Sequence, residues 1–229
     1  MTTDTTGARG PVFILDCDNT LLDNDKVKQD MEHGLRILLG AQLTRQFWKV
    51  YESVRTDTGT VDFPATFDRL QRFIGDERLL AQVRALIMEY PFASSLYPDT
   101  ISTLGYLTTV GTPTIVSDGD QVYQPLKISN SGLRAAVNGR VLVFVHKEDH
   151  LEEIFQRWPA SHYVLVDDKA RILAATKVRF PDRFLTVHVR QGHYGREKKG
   201  YEPAPDVVID RIGALTTIDP VRFSAASGR

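Results

Sequence analysis

The chain has 229 residues, 42% of them hydrophobic and 25% charged, with a formal net charge of -1. That composition can bury a sizeable core and excludes disordered and fibrous classes, while the near-neutral balance gives no global attraction to nucleic acid or to an anionic membrane surface. A single cysteine, Cys17, excludes an internal disulfide framework and a zinc cluster of cysteines, and it fits a reducing compartment.

Met1 to Pro11 is rich in Thr and Gly, lacks the apolar stretch of a signal peptide, and reads as a loose leader. No apolar run approaches the roughly 18 residues of a membrane span, so the expectation is a soluble, cytoplasmic protein. Val12-Phe13-Ile14-Leu15 is a short apolar run that ends abruptly in Asp16-Cys17-Asp18-Asn19-Thr20, which suits a buried strand opening into a polar loop. From about Asn24 to Pro91 the spacing turns helical, with segments near Val27 to Leu39, Thr44 to Val54, Pro64 to Ile74 and Glu77 to Met88. Gly40, Asp57-Thr58-Gly59 and Gly75-Asp76 supply turn and capping signals between them.

Beyond Pro98 helices and strands alternate. Helices are expected near Asp99 to Leu107, Val122 to Asn130, Glu148 to Trp158 and Lys169 to Lys177. Strands are expected at Pro113 to Val116, Val141 to Val145, Tyr163 to Val166, Phe184 to Val187 and Val207 to Ile209. The alternation predicts an α/β fold, a Rossmann-like, doubly wound and mainly parallel sheet with helices on both faces. The helical stretch after the first strand is too long for an ordinary crossover. It reads as an inserted α-helical cap over 23–91, with the catalytic core made of 1–22 and 92–229.

In such a sheet, ligands bind beyond the carboxyl ends of the strands, so polar residues that end successive apolar runs should converge. Four sites fit: Asp16 with Asp18; Ser117 with Asp118 and Gly119; Lys147; and Asp167 with Asp168. Each has an ordinary explanation too, since Asp, Ser and Gly make turns and caps after strands. Two carboxylates one residue apart behind a buried strand, however, repel each other unless a cation intervenes. A hydroxyl and loop amides at Ser117, Asp118 and Gly119 suit phosphoryl oxygens. Lys127 competes with Lys147 as the site cation but falls in mid-helix rather than at a strand end, and ranks below it.

The order of these motifs resembles the haloacid dehalogenase superfamily: strand then Asp-x-Asp-x-Thr at Asp16-Cys17-Asp18-Asn19-Thr20, strand then Ser117, Lys147 before a helix, and strand then Asp167-Asp168. The resemblance covers most of the chain, with the helical insert where that superfamily carries a cap. It implies a magnesium-dependent phosphatase in which Asp16 attacks phosphorus to form an aspartyl-phosphate, and Asp18 protonates the leaving oxygen and then activates water. It implies further that Ser117 holds a phosphoryl oxygen with help from loop amides and that Lys147 offsets the negative charge. Mg2+ would sit on Asp16, the Asp18 main-chain carbonyl, and Asp167 with Asp168. Independently of the family, an anionic carboxylate approaches a phosphate dianion only if something cationic lies between them.

Within that superfamily, dehalogenating members lack the second aspartate, and the phosphonate-cleaving members' cap lysine has no evident counterpart at Lys26, Lys28 or Lys49. A sugar-phosphate mutase keeps both aspartates and stays open as an alternative, as does a phospho-acceptor signalling or binding domain. The fourth motif reads Val166-Asp167-Asp168-Lys169 rather than Gly-Asp, so one or both aspartates are metal ligands, with Asp168 favoured. The expected partner is a small phosphorylated molecule, with no nucleic acid and no membrane, and the chain a monomer or homodimer. Two features have less defined roles. The basic loop His188 to Lys199 leaves the sheet on the site side, where Arg190, His193 or Arg196 would meet an anionic group. The insert's aromatics, Phe47, Trp48, Tyr51, Phe63, Phe67 and Phe73, are read mostly as its own small core.

Overall fold

Val12, Phe13, Ile14 and Leu15 are all buried, as expected of a central strand covered on both faces. The computed structural model of the chain describes residues 10–224, so most of the expected leader lies outside the described residues. Strand β1 (Val12–Leu15) is followed by three helices, α1 (Asn24–Thr58), α2 (Phe63–Leu70) and α3 (Glu77–Met88). The rest alternates as α4 (Thr100–Val110), β2 (Thr112–Asp118), α5 (Tyr123–Asn130), α6 (Leu133–Ala136), β3 (Val141–Phe144) and α7 (Leu151–Arg157). It closes with β4 (Tyr163–Asp167), α8 (Ala170–Arg179), β5 (Phe184–Val189), α9 (Gly192–Gly195), β6 (Val207–Ile209) and α10 (Pro220–Ser224).

The six strands form one parallel sheet in the order β3-β2-β1-β4-β5-β6. The chain winds one way from β1 through β2 to β3 and the other way from β4 to β6, so the topological switch point lies between β1 and β4. Leu15 pairs with Ile115 on one side and with Val166 on the other, which brings the carboxyl ends of β1, β2 and β4 to one level. Strand alternation divides the core. Phe13, Leu15, Val164 and Val166 face a large cluster that continues into α1, α2 and α3. Val12, Ile14, Tyr163 and Leu165 face the cluster made with α7 and α8.

The first two expected insert helices follow one another as two segments of α1, broken where expected at Gly40, whose backbone (φ 70°, ψ 171°) is not helical. A residue with a Cβ rarely takes that positive φ. One local feature differs from the sequence expectation. The loop after β5 contains the one-turn helix α9, because β5 runs on to Val189 and Gly192 (φ 61°) reverses the chain. Among the described residues no helix is long and apolar enough to cross a membrane.

Candidate active site

Asp16 ends β1 with its amide bonded to the Val166 carbonyl at 3.0 Å, so sheet pairing fixes its backbone. Its side chain is buried, and one carboxylate oxygen accepts from Lys147 Nζ. Lys147 also pairs with Asp167 Oδ2 at 2.7 Å, and its own amide donates to Asp118 Oδ1 at 2.7 Å. Burial works against the Lys147 ammonium, but the Asp16, Asp167 and Asp118 carboxylates hold its pKa well above the ordinary range. One lysine thus bridges the ends of β1 and β4 while the end of β2 fixes its backbone.

Asp18 is held by a second lysine. Lys127 Nζ donates to both Asp18 carboxylate oxygens at 2.8 and 2.9 Å and to Asn24 Oδ1 at 3.0 Å. Burial alone would raise the Asp18 pKa, but the Lys127 charge and hydrogen bonds outweigh it and lower it. Sequence reasoning ranked Lys127 below Lys147 because it sits in mid-helix, whereas the structure brings both to the site. The readable signal was the face of α5: Tyr123, Gln124, Lys127 and Ile128 recur at helical spacing and are all buried.

Asp16, Asp167 and Asp168 each offer a carboxylate oxygen, all within 4.8 Å of one another. Both Asp168 carboxylate oxygens and Asp16 Oδ2 are buried without a hydrogen-bond partner. Burial, then repulsion from Asp167 and Asp16, pushes the Asp168 carboxyl up to about 9. Burial likewise takes Asp16 to about 6, opposed by Lys147 and helped by Asp167. Asp167 is lowered despite its burial, because Lys147 and Lys169 stand beside it. Orphaned carboxylate oxygens at a convergence of three acids fit a hard cation with oxygen ligands, such as Mg2+. Both aspartates of the fourth motif enter this cluster.

Two of the three residues of the expected phosphate loop, Asp118 and Gly119, depart from their assigned roles. Ser117 Oγ is buried and accepts from Gln124 Nε2 at 2.9 Å. The Gly119 amide, expected to serve a phosphoryl oxygen, instead donates to the Phe144 carbonyl at 2.9 Å. Asp118 is engaged by the Lys147 amide. Gly119 and Asp118 therefore anchor the ends of β2 and β3, and neither the Gly119 N–H nor the Asp118 Oδ1 is free for a ligand. Gly119 also packs so that a Cβ would lie 2.7 Å from Gln124.

Of the three basic-loop candidates, Arg190 turns away to Asp210 at 2.7 Å, Arg196 is exposed, and His193 lines the cleft. Asp25 fixes His193, with Nδ1 2.6 Å from Oδ1 and the His193 amide donating to Oδ2 at 2.8 Å. Asn19, at φ 61°, accepts the amides of Asn24 and Asp25 on its Oδ1, so the loop after Asp18 also caps α1. The cleft between the sheet ends and α1–α2 measures about 780 Å³ and reaches Asp18, Lys127, Asp168 and Lys169. Phe47, Tyr51, Phe63 and Phe67 are buried in the hydrophobic core, as expected, with Trp48 packed against it; Trp48, Tyr51 and Phe63 also border this cleft, and Phe73 is exposed.

No family model matches the chain, and no curated protein matches it in sequence. Among solved structures, a protein of Burkholderia xenovorans LB400 described as a haloacid dehalogenase-like hydrolase is 42% identical, with 92% of this chain and 99% of that one covered at a TM-score of 0.82. The L-2-haloacid dehalogenase of Xanthobacter autotrophicus shares the fold at 18% identity, covering 94% and 100% of the two chains at a TM-score of 0.61. A haloacid dehalogenase-type hydrolase of Bacillus subtilis bound to magnesium shares it at 17% identity, covering 91% and 98% at 0.57.

Proposed function

Since the chain belongs to the haloacid dehalogenase-like hydrolases, we propose that it is a magnesium-dependent phosphatase that hydrolyses a small phosphate monoester through an aspartyl-phosphate on Asp16. The observation that supports this most is the pair of lysine-anchored carboxylates, Asp16 on Lys147 and Asp18 on Lys127. A dehalogenation needs the first carboxylate as nucleophile. Only a reaction that also moves a proton at the leaving oxygen needs the second.

Asp16, Asp167 and Asp168 would hold the metal, which when bound supplies the positive charge that lets a carboxylate approach a phosphate dianion. Asp16 attacks phosphorus through its carboxylate oxygen as the ester P–O bond breaks. Lys147 stays within reach of Asp16 and offsets the charge shared by nucleophile and phosphoryl group. Asp18 is ionised at rest because of Lys127, and a phosphoryl dianion arriving beside it raises its proton affinity, so that it takes up a proton from solvent. It then gives a proton to the leaving alkoxide and takes one from the water that hydrolyses the aspartyl-phosphate. Ser117, oriented by Gln124, offers its hydroxyl to a phosphoryl oxygen. Helices α1–α3 act as the cap, excluding water and selecting the leaving group.

Hydrolysis of 4-nitrophenyl phosphate with and without magnesium tests this reading. Activity should need the metal and fall by at least about 10³-fold in both Asp16→Asn and Asp18→Asn. Halide release from a 2-haloacid, unaffected by Asp18→Asn and with no phosphate release, would sink it.

A further inference from the structure

The cleft is lined by Asp18, Lys127, Asp168 and Lys169 of the candidate active site and by rings on three elements, with Glu52 and Arg55 beside them. Trp48 meets Tyr51 edge-on at 5.2 Å, Tyr51 lies 5.5 Å from Phe63, and Phe63 meets Tyr123 of α5 at 4.5 Å. These contacts make one continuous wall from α1 across α2 to α5, in which Tyr51, Phe63 and Tyr123 are largely buried and Trp48 is half-buried. The Trp48 indole N–H is already used on Glu32, so its remaining contribution is its ring.

A wall of this kind favours an apolar, flat occupant. Aromatic rings stack or meet edge to face at such distances, and Glu52, Arg55, Thr56 and Thr60 of the same lining leave partners for a polar substituent on the ring. One polar atom on the wall stands ready: the Tyr51 hydroxyl has no hydrogen-bond partner among the described residues. Burial, opposed by the Arg55 charge and helped by Glu52, Asp18 and Asp120, pushes its pKa up to about 12, so it remains a donor at neutral pH. The volume, about 780 Å³, is within the range that holds a ligand larger than a three-carbon ester.

We propose that the physiological substrate is a phosphate monoester whose leaving alcohol carries an aromatic ring, seated against Trp48, Tyr51, Phe63 and Tyr123 with the Tyr51 hydroxyl as the donor available to it. This rests on the phosphatase reading and goes further by fixing the class of alcohol. The hydrolysis itself is unchanged: the ester P–O bond breaks, water supplies the new P–O bond, and the aromatic alcohol leaves with the proton.

Three probes separate the two readings. Benzyl phosphate and glycerol 1-phosphate release alcohols of similar acidity, so their difference reads recognition, while acetyl phosphate, small and activated, reads phosphoryl transfer. With magnesium, wild type should hydrolyse acetyl phosphate and should favour benzyl over glycerol phosphate by tenfold or more in kcat/KM, a preference of at least about 1.4 kcal/mol. Trp48→Ala and Tyr51→Ala should bring that ratio towards one, and Trp48→Phe should retain most of it. A measurement needing no variant is competitive inhibition of wild type, where benzylphosphonate should bind at least about tenfold tighter than methylphosphonate. Turnover of acetyl phosphate with equal constants for the two esters, or equal inhibition by the two phosphonates, overturns the aromatic assignment alone. No magnesium-dependent turnover of any of the three overturns the phosphatase reading and this one with it.

Discussion

Lys127 and Lys147 reach the nucleophile loop from different elements, and each serves one carboxylate of the same motif. Removing Lys127 as Lys127→Met should therefore change Asp18 without touching Asp16. Asp18 is lowered by Lys127, so in the variant it ionises at higher pH, and the acid limb of the kcat/KM profile should shift upward. We expect kcat to fall about 10- to 100-fold; an unshifted acid limb would remove Asp18 from proton transfer. Asp168 makes a separate prediction. Its carboxyl is pushed from the ordinary 3.8 up to about 9, so between those values the metal-free folded chain holds a proton that the unfolded chain has released. Stability then falls as pH rises across that window. Asp168→Asn removes this dependence, and its thermal midpoint should exceed that of metal-free wild type by at least about 3 °C at pH 9, the gap closing towards pH 5. Magnesium should raise the wild-type midpoint and leave the variant's in place. Parallel curves for the two proteins would place the Asp168 carboxylate outside the metal cluster.

The loop after β5 and the loop after β1 pack most tightly at one glycine. Gly192 has φ 61°, and a Cβ there would come 2.4 Å from the Asn19 side chain, which is already committed to the amides of Asn24 and Asp25. Gly192→Ala should cost about 1–3 kcal/mol, read by denaturant midpoint. It should also lower kcat, because Asn19 can yield only by moving the loop that carries Asp18. A stable variant with full activity would show that α9 is free of the catalytic loop. Gly192 belongs to the stretch that the sequence marked as a basic loop, yet its charges are not what ties it to the site. Arg190 is spent on Asp210, and the coupling runs through glycine packing and the His193–Asp25 contact. Charge content along a chain indicates exposure well and direction poorly, since an arginine on a loop takes the nearest carboxylate.

At the scale of the whole molecule, the α/β alternation was legible because each strand is a short apolar run flanked by turn residues, and all six expected strands are present. Asp16, Ser117, Lys147 and Asp167 could be placed together because parallel strands around a switch point end at one edge. The fate of the Gly119 amide was not legible, because pairing between β2 and β3 depends on register that local pattern does not specify. Lys127 was legible only through the helical spacing it shares with the buried Tyr123, Gln124 and Ile128, because its partner Asp18 lies 109 residues away in the chain. The pairing of each carboxylate of the first motif with a buried ammonium, Lys147 being shared with Asp167, has an outcome for ligand exchange. At rest these two anions are already compensated, so an incoming dianion must trade places with an existing counter-ion rather than fill an empty electropositive hole. On the proposed mechanism, such a swap would make the free protein a poor trap for inorganic phosphate and favour prompt departure of the product.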